Sequence, residues 1–426
     1  MRFWTIFLFS LTEATFPRLS FLEGSSIGIS WQSGRESTCS EVHYGKDKDL
    51  NLTVDSGKHC DVYKGDRFHH VTLNDLEYAT RYYYRIGCDA TIYSFQTAAR
   101  PGSHEPFTFA VYADLGPLHG EATLARLNEM RDDLVGHIFA GDIGYADDAF
   151  INGESYISRT NEFLRDIAPS SAYLPVMVAP GNHEAEDHTP VCLLSPACRE
   201  GFGNFTAFNC VWNMPGGKGH SMWSSFDYGP IHFVLTNTET DYDGAPLEPY
   251  GEAGFIPTGK FGTPGEYVNW LRKDLEKAEG NRKNQPWIIV VGHRPISVME
   301  GTVDPFVTPL SDEIIDLINK HADVYVAGHV HYYTSTVPKN SNKPILISIG
   351  GAGCDEWPER VVQSTLFATS DEANSFAYGD EQTFALLKFD NELVFEIAKS
   401  STGELLDRIV IPKRQIQVHQ PVVLSS

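Results

Sequence analysis

Five apolar runs in this chain each stop on side chains that bind metal better than they pack. The sharpest is Ile138-Phe-Ala-Gly-Asp-Ile-Gly-Tyr145, a short strand that breaks at Gly141 and then presents Asp142 and, three residues on, Tyr145. The run from Phe107 ends on Asp114, and the run from Tyr173 ends on Asn182 and His183. The run from Pro286 ends on His293, and that from Ala322 on His329 and His331. One such end reads as an ordinary turn residue or a satisfied histidine. Five in one chain restrict the fold to those in which the strand ends converge. Helical patterns alternate with these strands. His119 to Asp133 keeps Leu124, Leu127 and Met130 on one face, and Ser155 to Ile167 keeps Tyr156, Phe163 and Ile167 together. Thr263-Pro-Gly-Glu266 reads as a capping box with proline at the first helical position, opening a helix that carries Val268, Leu271 and Leu275. Ser311 opens another with Ile314, Ile315 and Ile318. Strands alternating with helices define an α/β layered domain.

At 426 residues the chain is too long for one ordinary domain. Residues 16–97 read as all-β, with alternation in Gly28 to Trp31, Phe68 to Leu73 and Arg81 to Ile86. Leu76 to Tyr84 resembles fibronectin type III domains, which implies a small structural or docking sandwich. Residues 98–106 are a Pro/Gly/polar connector. Residues 183–262 are rich in Gly, Pro, Asn and aromatics, and read as long surface loops with a strand at Ile231 to Leu235. Strands return at Ile345 to Ile349, Phe384 to Phe389, Val394 to Ala398 and Arg408 to Ile411.

Arg2, an apolar stretch from Phe3 to Leu11, and Ala14 before a cut make a short secretory signal. Asn51-Leu-Thr and Asn204-Phe-Thr are glycosylation sequons that agree with secretion. There are seven cysteines: three in the N-terminal part, three (Cys192, Cys198, Cys210) crowded together, and Cys354. In a secreted chain these read as local disulfides whose pairing the spacing leaves open, and the odd count leaves at least one cysteine free or paired between chains. A net charge of −23 argues against nucleic-acid binding. It also means that a phosphate ester would need a locally positive site.

The strand-end side chains are hard oxygen donors (Asp114, Asp142, Tyr145, Asn182) and imidazoles (His293, His329, His331). No cysteine stands among them, which argues against copper(I) or an iron–sulfur cluster. Seven donors exceed one ion's needs and suit two ions sharing a carboxylate. Asp114-Leu-Gly116, Gly141 to Tyr145, Gly181-Asn-His-Glu184, Val290 to His293 and Gly328-His-Val-His331 resemble, in order and spacing, the motifs of purple acid phosphatases. That family lies within the calcineurin-like metallophosphoesterases, and the Gly350-Gly-Ala-Gly-Cys354 stretch is also similar to it.

The resemblance implies a layered metallophosphoesterase β-sandwich flanked by helices, preceded by the fibronectin type III-like domain. It divides the chain into a signal peptide over 1–15, the N-terminal domain over 16–100, a binuclear domain over 107–335, its C-terminal part over 336–413 and a tail over 414–426. Asp114, Tyr145 and His331 would hold Fe(III), Asp142 would bridge, and Asn182, His293 and His329 would hold a divalent Fe, Zn or Mn. Most metallophosphoesterases place a histidine where this chain has Gly116, and Tyr145 replaces that ligand. With Tyr145 as phenolate, the centre keeps roughly two positive charges, which attract a phosphate that the chain as a whole repels. The implied reaction is hydrolysis of phosphate monoesters by in-line attack of a metal-bound hydroxide. His183 would give the leaving oxygen its proton, with Glu184 and Arg294 supporting the ligands. Small phosphorylated substrates, no nucleic acid and no membrane span are expected, and a homodimer is left open. The family often has Tyr-Glu-Arg after the last histidines, where this chain has Tyr333-Thr-Ser. Plant members carry extra histidines after the His293 motif, where this chain has Ile296-Ser-Val-Met-Glu-Gly301. Two other readings remain: a related enzyme for phosphodiesters or nucleotides, and a glycoprotein binding module with a vestigial site.

Overall fold

The computed structural model describes residues 15–35, 37, 39–55, 59–62, 67–185, 195–196, 203–216, 220–247, 258–296, 310–339, 343–356, 365–369 and 373–414. The expected signal peptide up to Ala14, residues 415–426 of the tail, Cys192, Cys198 and most of the loop after His293 lie outside these residues.

Eight strands build the N-terminal sandwich: β1 (Thr15–Phe21), β2 (Ile27–Ser33), β3 (Glu41–Gly45), β4 (Leu52–Asp55), β5 (His59–Asp61), β6 (Arg67–Leu73), β7 (Arg81–Ile86) and β8 (Tyr93–Gln96). They pair as two antiparallel sheets, β1-β2-β6-β5 and β4-β3-β7-β8. Alternation along β7 puts Tyr82, Tyr84 and Ile86 inward, where Tyr82 and Tyr84 pack on Phe95.

The second unit is a larger two-sheet sandwich. One sheet runs β11 (Val176–Ala179), β10 (Gly136–Ala140), β9 (Phe107–Tyr112), β20 (Thr383–Asp390), β21 (Glu392–Lys399), β22 (Leu405–Ile411). The other runs β12 (Ser224–Tyr228), β13 (Ile231–Leu235), β14 (Trp287–Val291), β15 (Val324–Ala327), β17 (Ile345–Ile349), β16 (Tyr333–Pro338), β19 (Ala373–Tyr378), β18 (Thr365–Thr369). Aromatic rings fill the space between the sheets: Phe109 lies 5.4 Å from Phe233, and Trp287 lies 5.7 Å from Phe389. The strands that carry the site are parallel in both sheets: β9, β10 and β11 in one, β14 and β15 in the other. Their C-terminal ends therefore emerge on the same edge of each sheet. Strands buried on both faces read as continuous apolar runs, as Trp287 to Val291 does.

Helices cover the outer faces: α1 (Glu121–Glu129), α2 (Tyr156–Ser171), α3 (Thr206–Val211), α4 (Glu266–Gly280) and α5 (Asp312–His321). Ser155 caps α2 by accepting from the Ser158 N–H at 3.1 Å, and Phe163 of α2 meets Phe139 of β10. Ser311 caps α5 as expected. The helix expected from Thr263 begins instead at Glu266. Gly265 has φ +75°, and the Glu266 N–H donates to the Thr263 carbonyl at 2.8 Å, so Pro264 and Gly265 form a turn. The Glu266 carboxylate still reaches back to the Thr263 N–H, so half of the capping box survives.

Two further expectations are corrected. Thr236 to Thr240 is fully buried, not a surface loop. Asn237 makes this feasible: its Oδ1 accepts from the N–H groups of Glu239 and Thr240, and its Nδ2 donates to the Thr240 carbonyl. The disulfides are not all local. Cys39–Cys88 lies within the N-terminal sandwich, but Cys60–Cys210 spans 150 residues and joins that sandwich to α3. The two units also share packing, since Phe21 of β1 lies 5.8 Å from Phe226 and 5.5 Å from Tyr228. Among the described residues no helix is long and apolar enough to cross a membrane.

Candidate metal centre

Three of the five strand ends, those of β9, β10 and β15, turn their side chains through a sharp backbone bend. Asp114, Asp142, Tyr145 and His329 all have positive φ, between 48° and 68°. For non-glycine residues this conformation is strained, and it persists where surrounding structure imposes it. At Asp142 the imposing group is Glu184. Its carboxylate accepts from the N–H groups of Gly181 (2.7 Å), Ile143 (2.8 Å) and Asp142 (2.9 Å), tying the loops after β10 and β11 together. Burial, with Asp142 close by, pushes the Glu184 carboxyl up to about 7. At Asp114 the His329 N–H donates to the carboxylate, 2.9 Å from Oδ2. A Cβ at Gly328 would collide with that oxygen, so glycine is required there.

The structure brings all seven expected donors together in two groups. In the first, Asn182 Oδ1 lies 3.0 Å from both His293 Nε2 and His329 Nδ1, and His293 Nε2 lies 3.1 Å from Asp142 Oδ2. The far side of each ring is occupied. His293 Nδ1 donates to the Ala140 carbonyl at 2.8 Å, and Arg294 Nη1 donates toward His329 Nε2 at 3.4 Å. His293 is thereby held as the tautomer whose free Nε2 faces Asn182, whereas the Arg294 donor at His329 Nε2 leaves that ring's proton on Nδ1, facing Asn182 Oδ1. Glu239 holds Arg294 in place at 2.9 Å. In the second group, Asp114 Oδ1 lies 3.3 Å from the Tyr145 hydroxyl and 3.4 Å from His331 Nε2. Asp142 lies within ligand distance of this group as well. Asp142 is therefore common to both.

This donor set fits a pair of cations. Ligands held about 2.0–2.2 Å from an ion stand roughly 3.0–3.5 Å from one another, as these atoms do. Asp114, Asp142, Tyr145 and His293 are almost wholly buried. Burial raises the Asp114 carboxyl, and also pushes the Tyr145 phenol well above its usual range, with Cys354 and Asp114 adding to the effect. Burial would raise Asp142 too, but the imidazoles of His293 and His183 hold it below the carboxylate range. Buried anions of this kind require strong positive charge.

His183 is placed beside Asp142 and outside the donor groups. Its backbone N–H donates to Asp142 Oδ1 at 3.0 Å, and its Nδ1 lies 3.0 Å from Asp147 Oδ1. Nε2 faces Glu356 Oε1 at 3.3 Å. Burial opposes the imidazolium, but Asp147 and Asp142 outweigh it and hold the ring protonated well above the usual histidine range. Sequence reasoning missed Asp147, Asp148, Cys354 and Glu356. The first two follow Tyr145 in the same loop, which was the available signal. Gly116 is also explained: a Cβ there would collide with the Asp355 carboxylate. That carboxylate accepts from the Leu118 and His119 N–H groups and pairs with buried Arg159 at 3.0 Å. Two of the histidines read as structural lie outside these groups. His137 meets Ser170, and His232 is clamped between Asp227 and Asp274.

Residues 107–333 match the family described as calcineurin-like phosphoesterase, and the chain belongs to it. Residues 15–97 match the purple acid phosphatase N-terminal domain. Acid phosphatase A of Cryphonectria parasitica is 29% identical over 95% of this chain and 92% of its own length. Purple acid phosphatase 18 of Arabidopsis thaliana is 27% identical over 83% of this chain and 75% of its own. The solved purple acid phosphatase from yellow lupin seeds shares the fold, with a TM-score of 0.68 and 21% identity over 94% of this chain and 74% of that one. The family implies a binuclear metal centre.

Proposed function

We propose that the protein is an acid phosphatase that hydrolyses phosphate monoesters at an Fe(III)–M(II) pair, with M being Fe, Zn or Mn. The observation that carries this reading is the double membership of Asp142 in the two donor groups. Asp114, Tyr145 and His331 would hold Fe(III), Asn182, His293 and His329 the divalent ion, and Asp142 would bridge them. When bound, the pair supplies Lewis-acid charge and lowers the pKa of water so that a nucleophile exists in acid. The remaining work belongs to the chain. His183 holds a proton at Nε2, beside the Glu356 carboxylate, because Asp147 occupies Nδ1. It delivers that proton to the leaving oxygen, so activity persists in acid. Tyr145, at 0% exposure, would offer its hydroxyl to the iron side of the pair away from water.

The disulfides suit an oxidising compartment, and a secreted or lysosome-like glycoprotein accords with them. Asn51 is exposed and Asn204 half-buried, and both are proposed as glycosylation sites. The test is turnover of para-nitrophenyl phosphate in acid. The reading predicts activity that Asp142→Asn reduces by more than roughly a hundredfold. Faster turnover of bis(para-nitrophenyl) phosphate would instead make the enzyme a diesterase.

A further inference from the structure

Cys354 is the free cysteine of the described residues, and it is buried against the site. Its Sγ accepts from the Glu356 N–H at 3.2 Å and lies 4.0 Å from Glu356 Oε2. That oxygen lies 3.9 Å from His331 Nε2. One sulfur, one imidazole nitrogen and one carboxylate oxygen of these three residues all fall within 4.8 Å of one another. A tetrahedral ion with one ligand of each kind sets them about 3.3–3.6 Å apart. The Glu356 oxygen must close on the sulfur and on the nitrogen by about half an ångström to complete the site. Glu356, with 37% of its side chain exposed, is the member free to move. The donor chemistry differs from that around Asp142. A thiolate selects soft or borderline ions, whereas the oxygen-rich groups select hard ones. His331 belongs to both sets, since its Nε2 also faces Asp114 at 3.4 Å.

We propose that Cys354, His331 and Glu356 form a third, soft-metal site that takes zinc or cadmium and inhibits the enzyme by drawing His331 from Asp114 and Glu356 from His183. On binding, the Cys354 S–H bond breaks, a sulfur–metal bond forms and the proton leaves to solvent. The site itself stands on its own geometry, and the inhibition rests on the phosphatase reading.

The test is a titration of the full-length, metal-loaded protein with cadmium chloride. Two signals are followed: the ultraviolet thiolate-to-cadmium band and the rate with para-nitrophenyl phosphate. The band should saturate at one cadmium per chain beyond the resident pair, with inhibition in step. Cys354→Ser should lose the band and need more than roughly tenfold more cadmium for half-inhibition, and Glu356→Gln should keep the band but require roughly tenfold more cadmium to reach it. Cys354→Ala, matched to the parent by thermal melting, separates loss of the ligand from loss of the fold. A band of undiminished height in both Cys354 variants overturns the site. A saturated band with no loss of rate overturns the inhibition. An enzyme with no phosphatase rate at all refutes the functional reading while the band still reports on the site.

Discussion

His183 and Asp147 form the most readily tested pair. The folded-state pKa of His183 is raised, because the pull of Asp147 and Asp142 exceeds the cost of burial. The proton-donating form is thus fully present at acid pH and is lost only as pH rises through that raised value. By the same sign, the pair's contribution to stability is complete below the unfolded value of about 6.5. It declines as pH passes the folded one. Asp147→Asn should move the alkaline limb of the kcat profile to lower pH, and an unmoved limb would deny Asp147 this role. Removing the donor outright in His183→Ala should cost roughly 10²–10⁴ in kcat with a leaving group of high pKa, and far less with para-nitrophenol, which needs no proton. Equal losses on both substrates would count against proton donation. The clustering of the seven side chains was legible in the chain because they follow the ends of apolar runs. Asp147 and Glu356 were not, because each is one acidic residue among many and acquires its role only when folding sets it 3.0 and 3.3 Å from the ring.

At the scale of elements, helix caps and turns were readable where one side chain does the work and misread where the backbone does. Ser155 behaves as its position suggests, and Ser155→Ala should lower stability by about 1 kcal/mol, read as a shifted denaturation midpoint at constant slope. Thr263-Pro-Gly-Glu266 looked like a helix start, yet Gly265 takes up the left-handed conformation that only a turn uses. Gly265→Ala should therefore destabilise by about 1–2 kcal/mol, whereas a true helical position would gain from the change. The burial of Thr236 to Thr240 escaped the sequence for a related reason. A polar run reads as surface unless its members satisfy one another, and Asn237 does that through contacts no periodicity records.

For the molecule as a whole, parallel strands in two facing sheets deliver the five strand ends to one edge, and this was implicit in the apolar runs. The coupling of the two units was not, because cysteine spacing carries no three-dimensional pairing. Cys60–Cys210 closes a 150-residue separation, and in the chain-entropy picture its removal by paired serine substitutions costs about 5 kcal/mol. Tyr84 to the Ala172 carbonyl (2.8 Å) and Ser171 to the Pro17 carbonyl (3.0 Å) would still hold the units in contact. The variant should therefore melt earlier but keep its native circular dichroism at low temperature. The whole account converges on the shared carboxylate and the buried phenol. The most direct measurement is the metal content of the purified protein together with its visible spectrum, for the parent and for Tyr145→Phe. Two metal ions per chain, one of them iron, with a visible phenolate-to-iron band that vanishes in the variant, is the predicted result. A single ion per chain, or a band that survives the loss of the Tyr145 hydroxyl, would contradict it.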